Sequence, residues 1–282
     1  MKNSFYTLLI FSLLISCKSN MKQPAKDTTL VKPINQTEEL IEKFKPIIQG
    51  AWVKKDYVEK VITTKSPLAA MTEADDFILI YINIKNIKGD SLVVPDGNTH
   101  DGSQITIKFQ SGKSPSTIKV LEGGEIGYSI DKGDTILYYS RFDEQKKKII
   151  TTKFVKVLQE LPDNDLEFGL NHAINKAIIA GNYLLTDSLG KVSKVSFNND
   201  GRVSGFSDFS KYHVNFDLNS DAMDNLDEIF FSDEKKIRLN HLNGAYSFKF
   251  DMDTLSLYST HSNVDSTELI LGKRIYKLQK QK

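Results

Sequence analysis

Apolar and polar residues alternate over short stretches along most of this chain. The clearest stretches are residues 104–109, 117–120, 212–218 and 246–252. A period of two is typical of β-strands, because successive side chains point to opposite faces of a sheet. Turn residues separate the stretches, and residues 198–201, Asn-Asn-Asp-Gly, have the composition of a tight hairpin turn. Short strands at this spacing predict a mainly β fold of antiparallel barrels or sandwiches.

Two stretches interrupt the alternation with helical spacing. Residues 37–44 begin with a threonine that can cap a helix, continue with acidic residues, and place apolar residues on one face. Pro46 predicts that this helix is short. The second helix is predicted from Asp165, as its cap, to Ala180. Its apolar face consists of Leu166, Leu170, Ile174 and Ile178.

Each predicted helix ends in a similar short segment. Residues 45–52 read Lys-Pro-Ile-Ile-Gln-Gly-Ala-Trp, and residues 176–183 read Lys-Ala-Ile-Ile-Ala-Gly-Asn-Tyr. A second matching pair lies towards the end of each half, at residues 134–140 and 253–259. The repeat predicts two successive modules, residues 38–160 and residues 161–282. A length of 282 residues agrees with two domains of about 150 residues each.

The N-terminus has the features of a secretion signal. Residues 1–17 begin with one lysine, continue through an apolar core, and end at Cys17, the only cysteine of the chain. The last four residues, Leu14-Ile15-Ser16-Cys17, resemble the lipobox of bacterial lipoproteins. That resemblance implies cleavage before Cys17 and attachment of lipid to it, which would anchor the protein to a membrane. The alternative is an ordinary secretory peptide with an incidental cysteine.

The polar segment at residues 18–37 carries two prolines and no sustained apolar period, so it is predicted to be a disordered tether. No acidic residue occurs among residues 18–23. By resemblance to lipoprotein sorting, this favours an outer membrane position facing the periplasm over the cell surface.

The order of elements resembles that of lipocalins and lipocalin-like proteins. A helix leads into a Gly-x-Trp motif at Gly50 and Trp52, and into a partial match at Gly181 and Tyr183. The resemblance implies two tandem antiparallel β-barrels, each preceded by a short helix and closed at one end by the aromatic ring. It also implies a basic residue over each ring, for which position suggests Lys153 and Arg274. Tandem immunoglobulin-like sandwiches are the competing fold.

The two modules differ in the side chains predicted to face inward. The first presents isoleucine, leucine and valine, so it is the better candidate for an apolar pocket. The second is predicted to be mostly filled by rings. The inward candidates include Tyr212, Phe216, Tyr246, Phe248 and Phe250, with Phe206, Phe230 and Phe231 nearby. Solid cores in both modules are the alternative.

Charge argues against a nucleic-acid partner. The chain has 37 basic and 36 acidic side chains, and loss of Lys2 with the signal leaves 36 of each. Nucleic-acid-binding domains usually show a basic surplus on one face.

Few residues have a spacing that is typical of metal binding or catalysis. Asp217, Asn219, Asp221 and Glu228 have the spacing of calcium ligands in an EF-hand loop, but Ala222 replaces the usual glycine. A solvated acidic loop is the alternative interpretation. The five histidines lie far apart without zinc-like pairing, and no nucleophile or nucleotide motif occurs, so no enzyme is predicted.

The sequence is therefore compatible with two functions. One is a membrane-anchored lipoprotein that binds a small apolar or amphipathic ligand in the first barrel. The other is a non-enzymatic envelope module with filled barrels that binds another protein, with calcium as an optional stabiliser.

Overall fold

The computed structural model describes residues 35–74, 77–98, 101–186, 190–207, 209–218, 223–233 and 244–281. Cys17, the signal segment and most of the tether lie outside these ranges. Residues 35–282 belong to one compact unit, and the fold is mainly β.

The strands fall into two sheets of eight. The first sheet contains β1 Gly50–Lys54, β2 Leu79–Ile82, β3 Ser91–Gly97, β4 Gly102–Ser111, β5 Thr117–Val120, β6 Glu125–Asp131, β7 Asp134–Asp143 and β8 Lys148–Leu158. The second contains β9 Gly181–Thr186, β10 Val192–Phe197, β11 Val203–Ser204, β12 Lys211–Val214, β13 Glu228–Ser232, β14 Gly244–Asp251, β15 Thr254–Ser262 and β16 Leu269–Lys280. The helices are α1 Gln36–Ile48, α2 Lys55–Thr64, α3 Pro67–Ala70 and α4 Leu166–Ile174, which continues as a π-helical turn over Asn175–Ile179.

The first sheet is a closed antiparallel barrel. Each strand pairs with its neighbours in chain order, and β1 completes the ring by pairing with both β2 and β8. At Val53 the partners are Leu79 on one side and Val155 on the other. Closure leaves no unpaired sheet edge in this module, which is the predicted barrel.

The second sheet has the same neighbour order but is not closed. Its order is β11-β10-β9-β16-β15-β14-β13-β12, so the gap lies between β11 and β12. These two edge strands meet at a single bridge between Arg202 and Lys211. β11 has only two residues, and both of them pair with β10. The prediction of a second closed barrel is thus not confirmed.

Two helices occur where the sequence suggested strands. α2 and α3 connect β1 to β2, and α2 buries Tyr57 and Val61, which are four residues apart and so share one helix face. α1 also extends beyond its predicted end, because Pro46 lies inside the last turn without breaking it. The predicted second helix is confirmed, with Asp165 accepting a hydrogen bond from the Phe168 amide as its cap.

Helix α4 joins the two modules into one body. Its buried Leu170, Ala173 and Ile174 belong to an apolar cluster that also includes Val53 on the outer face of the first barrel. The same cluster continues into the interior of the second sheet, for example at Phe231. The modules therefore share one core, and α4 is held against both of them.

Candidate functional site

The two Gly-x-aromatic motifs have the same backbone geometry. Gln49 (φ −52°, ψ 130°) ends α1, and Ala180 (φ −54°, ψ 137°) ends the π-helical turn after α4. The glycines that follow have φ of 133° at Gly50 and 147° at Gly181. Both values lie in the region that favours glycine. The sequence repeat therefore corresponds to a repeated turn from helix to strand.

The rings that follow these turns are held by equivalent hydrogen bonds. The Trp52 Nε1 donates to the Ile48 carbonyl at 2.7 Å, and the Tyr183 hydroxyl donates to the Ile179 carbonyl at 2.6 Å. Each acceptor lies four residues before its ring. Trp52 is 0% exposed and Tyr183 is 1% exposed. A buried ring whose polar atom is satisfied in this way stabilises the start of each module.

A lysine from the last strand covers each ring, as the resemblance implied, but neither lysine is at the predicted position. The Lys156 Nζ lies 4.7 Å from the centre of the Trp52 ring, and the Lys280 Nζ lies 5.6 Å from that of Tyr183. Lys153 is exposed on β8, since it lies on the strand face opposite to Lys156. Arg274 is also exposed, six residues or about 20 Å of strand before Lys280.

Glycine is required at both positions by the close packing of these lysine side chains as well as by the backbone conformation. A Cβ at Gly50 would lie 2.6 Å from the Leu158 carbonyl oxygen and 3.3 Å from the Lys156 side chain. A Cβ at Gly181 would lie 2.7 Å from Lys280 Cε. Glycine, ring and lysine therefore form one packed unit in each module, which we call the module base: Gly50, Trp52 and Lys156, or Gly181, Tyr183 and Lys280.

The module base leads to a stability prediction. We expect Lys156→Gln to lower the free energy of unfolding by about 1–2 kcal/mol, because it removes the cation from the Trp52 ring and a bond from Lys156 Nζ to the Ile47 carbonyl at 3.2 Å. The matched control, Lys153→Gln, should change it by less than about 0.5 kcal/mol. Urea unfolding followed by circular dichroism measures both, and equal losses would contradict the assignment of Lys156.

The interior of the first barrel is filled by its own side chains. Phe44 and Ile48 from α1 join Trp52, Phe109 and Phe154 in one apolar cluster, and all five are 0% exposed. None of these five side chains has surface that solvent can reach. The lumen is a packed core, so its residues are not in position to surround a ligand.

The second sheet encloses aromatic rings, as its sequence predicted. Phe231 lies 4.9 Å from Phe206 and 6.2 Å from Phe197 between ring centres, and Phe206 lies 4.9 Å from Tyr276. Phe197, Phe206 and Phe231 are essentially unexposed. This interior is also a core.

A cleft of about 460 Å³ lies where the second sheet fails to close, and we call it the seam cleft. Its volume is within the range of about 300–1,000 Å³ that is typical of small-molecule sites. The walls come from α4, the hairpin turn after β10, and strands β12 and β13. The lining residues used below are Phe168, Asn171, His172, Asn175, Asp200 and Phe230.

The α4 wall is a stripe at helical spacing. Phe168, Asn171, His172 and Asn175 lie at positions i, i+3, i+4 and i+7, so they share one face of the helix. The opposite face carries the buried Leu170, Ala173 and Ile174. Asn175 also begins the π-helical turn, a local widening that often occurs at functional sites.

Three polar atoms of this stripe are buried without a protein partner. Asn171 Oδ1, His172 Nδ1 and Asn175 Oδ1 have no hydrogen bond from any residue that the structure describes. Burying such an atom without a partner costs about 1–3 kcal/mol. All three residues line the seam cleft, which makes this cleft the candidate site.

The hairpin turn fixes the orientation of Asn175. Its Nδ2 donates to the Asn199 carbonyl at 3.2 Å, which leaves Oδ1 as the open acceptor. Gly201, with φ of 82°, allows this turn to lie close to strand β12, because a Cβ there would lie 2.8 Å from the Tyr212 carbonyl oxygen. The turn predicted at residues 198–201 thus becomes one wall of the cleft.

Two of the five histidines, His172 and His213, line this cleft. Burial lowers the pKa of His172, with Lys176 adding to the effect, and burial also lowers the pKa of His213. The His213 ring packs 5.3 Å from that of Phe230. The helical stripe was the sequence signal that could have located this site.

The His213 environment predicts a pH effect on stability. A folded-state pKa below the ordinary value of about 6.5 means that the unfolded chain takes up the proton first. The stability that neutral His213 contributes is therefore complete above about pH 6.5. It declines as the pH falls towards the lowered pKa of His213 in the folded state. We expect the stability difference between the wild type and His213→Gln to shrink over this window. Urea unfolding at several pH values measures it, and parallel curves would refute the prediction.

The calcium ligands are only partly described. Asn219 and Asp221 lie outside the described residues, as do His100 and His241. Asp217 is exposed, while Glu228 opens strand β13, where burial raises the pKa of its carboxyl. Within the described ranges, no group of three His, Cys, Asp or Glu side chains could hold a metal ion. The calcium site stays a prediction.

The fold and site define a mainly β protein with a closed eight-stranded barrel, a second eight-stranded sheet and a cleft at the open seam of that sheet. No family model matches the chain, and no curated protein matches it. Among the helices of the described residues, none combines the length and apolar character needed to cross a membrane.

Proposed function

We propose that this chain is a lipid-anchored, non-enzymatic binding protein built from two lipocalin-like modules, and that its ligand binds in the seam cleft rather than inside a barrel. The observation that carries the proposal is that three of the residues lining this cleft each hold a buried polar atom without a hydrogen-bond partner among the described residues. The filled first lumen supports it, because a ligand there would have to displace Phe109 and Phe154 from the core. The equivalent module bases support a common lipocalin-like plan for both halves.

Binding in the seam cleft can be distinguished from binding in the lumen of the first barrel by fluorescence. The chain has a single tryptophan, Trp52, and it lies at the base of the first barrel. We expect palmitate to leave the fluorescence of Trp52 unchanged. A saturable change in this emission would place an apolar ligand in the first barrel and overturn the proposed location.

Binding in the seam cleft is tested by amide chemical shifts on adding a panel of glucose, maltose, lysine, spermidine and palmitate. We expect at least one compound to shift resonances of α4 and β12 while those of β4 and β5 stay fixed. If no compound does so, the proposed site is wrong.

The lipid anchor is tested separately by Cys17→Ala in the full chain, expressed in bacterial cells. The wild type is expected in the membrane fraction and the variant in the soluble fraction. Equal membrane association of the two would remove the anchor from the proposal.

A further inference from the structure

The buried part of the seam cleft is neutral. Its unpartnered atoms belong to two amides and one imidazole, Asn171, Asn175 and His172. Asn175 is 1% exposed, so its Oδ1 cannot be served by bulk solvent. A ligand that fills this part must bring hydrogen-bond donors.

The carboxylates around the cleft are already engaged or lie at its rim. Asp165 caps α4 by accepting from the Phe168 amide at 3.2 Å, and Asp200 pairs with the Arg202 guanidinium at 2.6 Å. Glu167 is exposed. An ammonium group buried beside the amide oxygens would therefore lack a buried counter-charge, which is unfavourable. Neutral donors fit this part of the cleft better than cations.

Hydroxyl groups meet the donor requirement in full. A hydroxyl can donate to an amide oxygen, and it can either donate to or accept from the ring nitrogen of His172. The imidazole is therefore satisfied whichever tautomer it adopts. Burial lowers the pKa of His172, which favours this neutral form.

The cleft also offers apolar faces. Phe168 and Phe230 line it and are only half-buried, so part of each ring is open. From Phe168 to Asn175 the stripe extends over seven residues, or about 10 Å of helix. A sugar ring combines the two properties that this surface requires, namely a C–H face that packs on an aromatic ring and a rim of hydroxyl groups.

We propose that the seam cleft binds a neutral saccharide. Its hydroxyls bond to Asn171 Oδ1, Asn175 Oδ1 and His172 Nδ1, and a C–H face of a sugar ring packs on Phe168 or Phe230. This inference rests on the proposed function and names the class of ligand for the same site.

The test is titration of the full mature chain with glucose, N-acetylglucosamine, maltose and cellobiose, followed by amide chemical shifts. We expect saturable shifts at α4 and β12 with at least one of these sugars. Asn175→Leu should weaken that binding at least tenfold, and so should Asn171→Leu, which alters a residue nearer the surface. Asn86→Leu, an exposed asparagine of the first module, is the matched control and should leave the affinity unchanged.

The outcomes separate the two proposals. Shifts at the seam cleft with lysine or spermidine but with none of the sugars would overturn the saccharide and leave the binding site in place. No shift with any compound would mean that ordered water alone satisfies the three atoms, and both proposals would fail. Sugar binding that survives both Asn171→Leu and Asn175→Leu in folded protein would also overturn the inference.

Discussion

Replacement of Trp52 by alanine is expected to lower the free energy of unfolding by about 3–5 kcal/mol, as for other large-to-small changes at fully buried rings. Trp52 is 0% exposed and packs within the core of the first barrel. The change would open a cavity and leave the Ile48 carbonyl without the indole donor. It would also leave the Lys156 ammonium over an empty space.

Trp52→Phe provides the control for this result. It keeps an aromatic ring under Lys156 but removes the bond to Ile48, so its cost should be about 1–2 kcal/mol. Because both variants lack the only tryptophan, urea unfolding has to be followed by far-ultraviolet circular dichroism. A loss below about 1 kcal/mol for Trp52→Ala would show that the base is not central to the barrel.

The second large effect is expected at Phe231. Phe231→Ala should cost about 3–5 kcal/mol, because this ring is 0% exposed and contacts several others in the interior of the second sheet. Neighbouring rings add edge and tilted contacts worth about 0.5–1.5 kcal/mol per pair. Removing Phe231 therefore disrupts the aromatic packing that stabilises the second sheet, which is not closed into a barrel.

Phe230 is the matched control, since it is the adjacent residue of β13 and points to the opposite face. It is half-buried beside His213 in the seam cleft. Phe230→Ala should cost about 1 kcal/mol or less. The same urea titration compares the two variants, and similar losses would mean that the interior of the second sheet is not its core.

The module bases show how far a local pattern can predict tertiary structure. Gly50 and Gly181 were identified from the repeated segment and its resemblance to the Gly-x-Trp motif, and both have the positive φ that favours glycine. The basic residues were assigned wrongly as Lys153 and Arg274, because the last strand of each module carries several basic residues and only its register shows which one lies over the ring. At Lys153 and Lys156 that choice depends on one residue of register.

The sequence contains the polar stripe on α4 but not the other walls of the seam cleft. Its residues come from α4, from the turn at residues 198–201 and from β12 and β13, which meet only when the sheet curls. His172 and His213 were not recognised as site residues, because single histidines carry no spacing signal. Their burial results from packing between elements that are distant in the chain.

The sequence by itself determined four features: the alternating strands, the two leading helices, the repeated turns into Gly-x-aromatic and the aromatic filling of the second module. Each depends on contacts between residues close in the chain, or on the alternation of neighbouring side chains. The tertiary structure alone decided which of the two sheets closes, the gap beside β11, the shared core around α4 and the unpartnered atoms of Asn171, His172 and Asn175. These features depend on which strand edges meet and which side chains remain unpaired, and such long-range pairing leaves no periodic trace in the sequence.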